Sequence, residues 1–149
     1  LADLTIHPCS ACDACQTYDE IHCDQDDDMQ PLYPALVTAS AIVLASPIYC
    51  FTYSAQLKLF IDRLYVFFGK VPAPLKGKPV AILLTYGDDD PRTSGVDNAI
   101  KSLQDAFDYL EAPVADIIRA SADKPGEIRA NKEVMEQAFA LGEKIGSGN

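Results

Sequence analysis

The chain has 149 residues, 48% of them apolar and 23% charged, with a net charge of −10. That is enough for one globular domain burying roughly two thirds of its unfolded surface, and too aliphatic for a disordered chain. Residues 1–40 carry eight Asp or Glu and no Lys or Arg, so binding to nucleic acid or an anionic membrane by bulk electrostatics is excluded.

No apolar run approaches the ~18 residues of a membrane span. The opening Leu1-Ala-Asp-Leu4 lacks the basic segment of a secretory signal. Both point to a cytoplasmic protein.

The first feature along the chain is Cys9-x2-Cys12-x2-Cys15-x7-Cys23, four of the five cysteines within fifteen residues. Thiolates at such short intervals let one loop wrap a metal centre. Three tightly spaced cysteines with a fourth farther on suit a [4Fe–4S] cluster. Four sulfur ligands also suit zinc, although zinc sites more often separate two Cys-x2-Cys pairs by a dozen residues or more. Free thiols or disulfides are the remaining readings.

Asp24, Asp26, Asp27 and Asp28 follow. Beside an anionic cluster they would lower its potential. The plainer expectation is that Asp27 or Asp28 caps a helix over Met29–Val37. His7 and His22 read as surface residues.

From residue 38 onward the pattern is repeated strand–loop–helix. Ala41–Ala45 is a continuous apolar run, as expected of a strand buried on both faces. Leu57, Phe60, Ile61, Leu64, Phe67 and Phe68 recur at helical spacing from Ser54, and Gly69 and Pro72 stop that helix. Val80–Leu84 is a second buried strand. Val96, Ile100, Leu103, Phe107 and Leu110 mark a helix for which Ser94-x-x-Asp97 resembles a capping box, ended by Pro113. Val114–Ile118 is a third strand nearer an edge, and Val134, Ala138, Leu141 and Ile145 mark a last helix capped by Asn131. Three successive strand–helix units imply a parallel sheet covered by helices on both faces. Residues 1–149 are expected to form one domain, and ligands to bind where loops leave the carboxyl ends of the strands.

Ser46-Pro-Ile-Tyr49, Ser54-Ala-Gln-Leu-Lys58 and Phe60-Ile-Asp-Arg63, taken with the cysteines and Asp27-Asp-Met29, resemble the flavodoxin-like NAD(P)H-dependent FMN reductase superfamily. Within it they resemble the iron–sulfur flavoproteins. The resemblance implies a three-layer flavodoxin-like α/β sandwich, strand order 2-1-3-4-5, with FMN across the carboxyl ends. By it, Pro47, Ile48, Tyr49, Cys50 and Phe51 lie against the isoalloxazine, and Thr85, Tyr86, Gly87 and Asp88 form the second flavin loop.

Backbone amides there would hydrogen-bond the ring, and Gly87 would permit the close approach. Tyr49 and Phe51 either stack on the flavin or fill core; Cys50 is either a buried small residue or a reactive thiol. Asp62 and Arg63 are expected to pair with each other, structurally or at a subunit interface. Leu1–Ile6 aligns with the family's second strand, and the cysteine-rich loop 9–28 with an insertion after it. The family's first strand, its Ser/Arg/Thr-rich phosphate loop and its first helix have no counterpart here, so the domain is expected to be N-terminally incomplete.

The implied function is an FMN-dependent oxidoreductase. It would pass electrons from NAD(P)H or a ferredoxin-like donor to a small-molecule or protein acceptor, through a [4Fe–4S] cluster held by Cys9, Cys12, Cys15 and Cys23. No residue is expected to act as general acid or base, and homodimers or larger homo-oligomers are expected. The alternatives are a flavin or quinone reductase without a cluster, a non-enzymatic flavodoxin-like electron carrier, and a zinc-stabilised α/β interaction module without flavin.

Overall fold

A computed structural model of the chain describes residues 1–147. Its centre is a sheet in the order β2-β1-β3-β4. β1 (Ile42–Tyr49), β3 (Val80–Tyr86) and β4 (Val114–Ser121) lie parallel, side by side in chain order. β2 (Thr52–Tyr53) is a short antiparallel return on the outer side of β1, pairing Ile48 with Tyr53 and Tyr49 with Thr52. The register runs Ile42↔Val80 to Pro47↔Thr85, so the tips of β1 and β3 end level with each other.

Two core clusters separate the layers. On one face α2 (Leu32–Thr38), α3 (Ala55–Arg63) and α5 (Val96–Tyr109) bury Tyr33, Leu57, Phe60, Leu103 and Phe107 against Leu44, Val80 and Ile82. On the other, α6 (Lys132–Gly146) lays Val134, Ala138, Leu141 and Ile145 over Ala81, Leu83 and Ile118. The flavodoxin-like three-layer α/β expectation therefore holds for the half of the sheet that corresponds to strands 3, 4 and 5. No helix among the described residues is long and apolar enough to cross a membrane.

Several local expectations need correction. Leu1–Ile6 is not a strand, so the cysteine-rich segment precedes the sheet instead of following its first strand. Thr5 and His7 are held by Asp28 and Asp27, and Leu1 and Ala2 rest beside Ala45 and Pro47. β1 is longer than expected and is buried on one face only, with Val43 56% exposed. Residue for residue, α6 covers β3 and β4 but not Val43.

The helix begun at Ser54, whose hydroxyl caps the Leu57 amide, tightens into a 3-10 turn at Leu64–Phe67. Neither Asp27 nor Asp28 caps α2, which starts after Pro31. The Ser94 side chain takes the Val96 amide at 3.1 Å, but Asp97 pairs with Arg119, so no reciprocal capping box forms. The Asn131 cap is present, accepting from the Val134 amide at 3.2 Å.

Candidate functional site

β1 and β3 carry their loops to the same end of the sheet, and Ser46 organises the first. Its buried hydroxyl accepts the Ser54 amide at 3.0 Å and donates to the Pro47 carbonyl at 2.8 Å, tying the end of β1 to the start of α3. The hairpin between them turns at Cys50 and Phe51, whose φ values of 47° and 68° are left-handed. Such a two-residue turn normally uses Asn or Gly. Here it is braced from outside. Gly95, at φ 86°, packs directly under the turn, and a Cβ there would fall 2.3 Å from Phe51 Cα. Tyr49 and Phe51 are left 63% and 66% exposed.

The second loop begins at Gly87. Asp88 accepts from the Thr93 hydroxyl at 2.8 Å and the Asp90 amide at 3.2 Å, while Asp90 accepts the Arg92 amide at 2.9 Å. The Thr93 hydroxyl foremost holds the Asp88 carboxyl below the usual carboxylate range, and the Arg92 guanidinium, 3.1 Å from Asp90 Oδ2, does so for Asp90, the amide bonds adding to both. The start of α4 (Pro91–Ser94), which follows directly, is thus filled by its own carboxylates and offers no seat to a phosphate.

Pro47, Ile48, Tyr49, Thr85, Tyr86 and Gly87 line one hollow of about 330 Å³ with Ala122, Asp123, Lys124, Pro125, Gly126 and Ile128. The tips of β1 and β3 therefore face a common slot, whose third wall is the loop after β4. Sequence reasoning missed that wall because β4 runs three residues past the Ile118 where the apolar run stops. The Pro125-Gly126 turn is the sequence signal that marks it. Cys50, Phe51 and Asp88 do not line the slot, and Cys50 is exposed, not a buried small residue. A Cβ on Gly87 would stand 2.9 Å from Asp123 Oδ1, so the slot narrows as soon as this position gains a side chain. A flat apolar ring with polar edges fits such a space; the residues suit the ring of FMN better than its phosphate.

The cysteines lie elsewhere, on a loop that includes α1 (Ala14–Thr17). Ala11 and Asp13, which flank Cys12, are both left-handed, at φ 52° and 57°. Lys70 clamps the loop by donating to the carbonyls of Cys15 at 3.0 Å and Tyr18 at 2.5 Å, and Gln16 donates to Tyr65 O at 2.9 Å. None of the five cysteines is in a disulfide. Burial pushes the Cys15 thiol up, a hydrogen bond from Gln16 opposes this, and the charges of Cys23, Cys12 and Cys9 raise it further. Among the described residues, however, no three His, Cys, Asp or Glu side chains are gathered to hold a metal ion.

Cys15 accepts from Gln16 Nε2 at 3.5 Å, and Cys23 accepts from Arg63 Nη2 at 3.4 Å. Arg63 does not pair with Asp62, which binds Lys58 one turn away at 2.6 Å. Its partner is Asp27, at 2.5 Å, with both side chains 1% exposed. Burial works to raise the Asp27 carboxyl, but the bonds from Arg63 and from the His7 and Met29 amides outweigh it and hold it below the usual range. Neutralised in this way, Asp27 cannot act as the potential-lowering charge expected of it.

Comparison with known proteins places this geometry. A family model described as NADPH-dependent FMN reductase matches residues 1–124. An iron–sulfur flavoprotein of Methanosarcina thermophila is 38% identical over 105 residues, 70% of this chain and 52% of its own length. The chain therefore spans about half the length of the curated relatives it matches. Among solved structures, the Trp repressor binding protein of Bacillus subtilis superposes with a TM-score of 0.65 at 22% identity, covering 74% of this chain and 73% of that one. General stress protein 14 of Treponema denticola, solved in complex with FMN, gives 0.62 at 17% identity over 90% and 78% of the two chains. At such identities these two likenesses speak for the fold.

Proposed function

The chain belongs to the NADPH-dependent FMN reductase family, and on that premise we propose that it is the flavin-binding part of an FMN-dependent oxidoreductase of the iron–sulfur flavoprotein type. The observation that carries the proposal is the slot shared by the tips of β1, β3 and β4. Parallel α/β sheets bind ligands at this end. FMN, when bound, supplies the electron chemistry that links a two-electron donor to one-electron acceptors. The chain's part is to hold the ring between Pro47–Tyr49 and Thr85–Gly87, to shield it with the Ala122–Ile128 loop, and to leave the Tyr49 ring free at the rim.

NAD(P)H is the proposed donor and a small molecule or redox protein the acceptor. Cys9, Cys12, Cys15 and Cys23 are the proposed ligands of a [4Fe–4S] cluster passing single electrons; four soft donors on one loop are the chemistry that supports it. The family's motifs favour this over a zinc-stabilised module. Five unpaired cysteines suit a reducing cytoplasm. Assembly with a second copy is part of the same proposal.

FMN titrated into the protein without oxygen should lose its fluorescence on binding, and Gly87→Ala should weaken that binding by no more than about tenfold, because the Asp123 carboxylate that the new Cβ meets can turn aside. Wild-type protein that leaves FMN fluorescence unchanged across the titration would sink the flavin assignment. Oxidation of NADPH by the loaded protein, followed with a small acceptor, separates a reductase from a carrier that only shuttles electrons.

A further inference from the structure

The wall that the loop after β4 adds to the slot is held in a fixed shape. The Ala122 amide donates to the Tyr86 carbonyl at 2.8 Å, which ties the loop to the tip of β3. The Glu127 carboxylate accepts the amides of Asp123 at 2.8 Å and Lys124 at 2.9 Å, and Gly126, at φ 82°, lets the chain turn back. Glu127 thus shapes the loop, and the Asp123 side chain is left over. Among the described residues its carboxylate has no hydrogen-bond or ion-pair partner, although its amide does. It stands against the bare face of Gly87, with Oδ1 2.9 Å from where a Cβ on that glycine would be. Asp123 is also the one acid among the residues that line the slot. Asp88, nearer the tip of β3 in sequence, lies outside the slot and is taken by the Thr93 hydroxyl and the Asp90 amide.

Resting on the flavin reading above, we infer that Asp123 is the residue that recognises the pyrimidine edge of the ring, its carboxylate accepting the ring's N3–H. An ionised carboxylate accepts hydrogen bonds and donates none. On the oxidised isoalloxazine N1, N5, O2 and O4 are acceptors as well, and N3–H is the one donor. Of the ring's polar atoms, only N3–H can therefore meet Asp123 without repulsion. The contact decides which way round the ring enters. Its pyrimidine edge lies at the wall built by the loop after β4, and its dimethylbenzene edge points away from that wall. Gly87 has its own part in this arrangement, since the missing Cβ leaves the carboxylate room to lie where it does. A flat ring without such an N–H would set an acceptor against the carboxylate, and a site built to pair a donor rejects a ligand that lacks it.

The test is anaerobic fluorescence titration of wild type, Asp123→Ala and Asp123→Asn with FMN and with FMN methylated at N3. Methylation removes the donor and leaves the phosphate, the ribityl chain and the rest of the ring unchanged. Wild type should bind the methylated flavin at least about tenfold more weakly, the cost of losing one charge-assisted bond. Asp123→Ala should bind FMN about tenfold more weakly than wild type and should no longer tell the two flavins apart. Asp123→Asn keeps an oxygen acceptor in the same place, so it should still prefer FMN. Equal affinity of wild type for the two flavins overturns the inference and leaves the flavin reading standing. A preference that survives in Asp123→Ala overturns it as well, and assigns any affinity lost there to a ribityl hydroxyl. Wild type that binds neither flavin overturns the inference and the flavin reading together.

Discussion

Asp27→Asn should destabilise the fold by about 3–5 kcal/mol, the usual cost of leaving one partner of a buried ion pair alone. Arg63 is only 2% exposed and, among the described residues, has no other carboxylate within ion-pair distance. It would remain charged, because a guanidinium does not give up its proton inside a protein. The loss spreads beyond the pair, since Asp27 also holds the amides of His7 and Met29. The substitution therefore frees the segment that leads into the cysteines.

Acid makes the same change reversibly. A carboxyl held below its ordinary value contributes stability in full above the unfolded-state pKa near ~4, and the contribution is lost as pH falls through the lower folded value. Urea unfolding of wild type should weaken across that acid range, and the Asp27→Asn variant should lack this component. Equal stability of the two proteins at neutral pH would contradict the buried pair.

Gly95→Ala is the second large effect. The added Cβ would lie 2.3 Å from Phe51 Cα and 2.5 Å from Phe51 O, and the position keeps φ 86°. Left-handed backbone costs a non-glycine residue about 1–2 kcal/mol, and overpacking against atoms that cannot rotate away adds about 1–3 kcal/mol. A fall in stability of about 2–5 kcal/mol is expected, together with weaker FMN binding, because the displaced turn carries Tyr49 at the rim of the slot. Gly142→Ala is the control. That glycine lies inside α6 with open space where a Cβ would go, so alanine should be neutral or stabilising by up to about 1 kcal/mol. Calorimetry and FMN titration of both variants check the pair of expectations.

What the sequence made legible is what repeats locally. Val80–Leu84, the Val96–Leu110 stripe and the Asn131 cap could be read because periodicity and capping act over a few residues. The two ligand-facing tips were readable for the same reason, as loops leaving strand ends. The Arg63–Asp27 pair was not, because its members stand 36 residues apart and Asp62, adjacent in sequence, looked like the natural partner. The hairpin at Cys50-Phe51 hid its turn because the glycine that makes it possible is Gly95, on another element. Ala41–Ala45 looked like a strand covered on both sides because composition reports apolar character, whereas cover depends on where α6 ends up.

β3 has a neighbour on either side, while β1 from Ile42 to Pro47 pairs with β3 alone among the described residues. In an extended chain, successive N–H groups point to opposite sides. Alternate amides of β1 thus look outward to water, and their hydrogens should swap for deuterium orders of magnitude faster than those turned toward β3. An exchange map would show a two-residue stripe along one strand beside an evenly protected one, tracing the border of the sheet proton by proton.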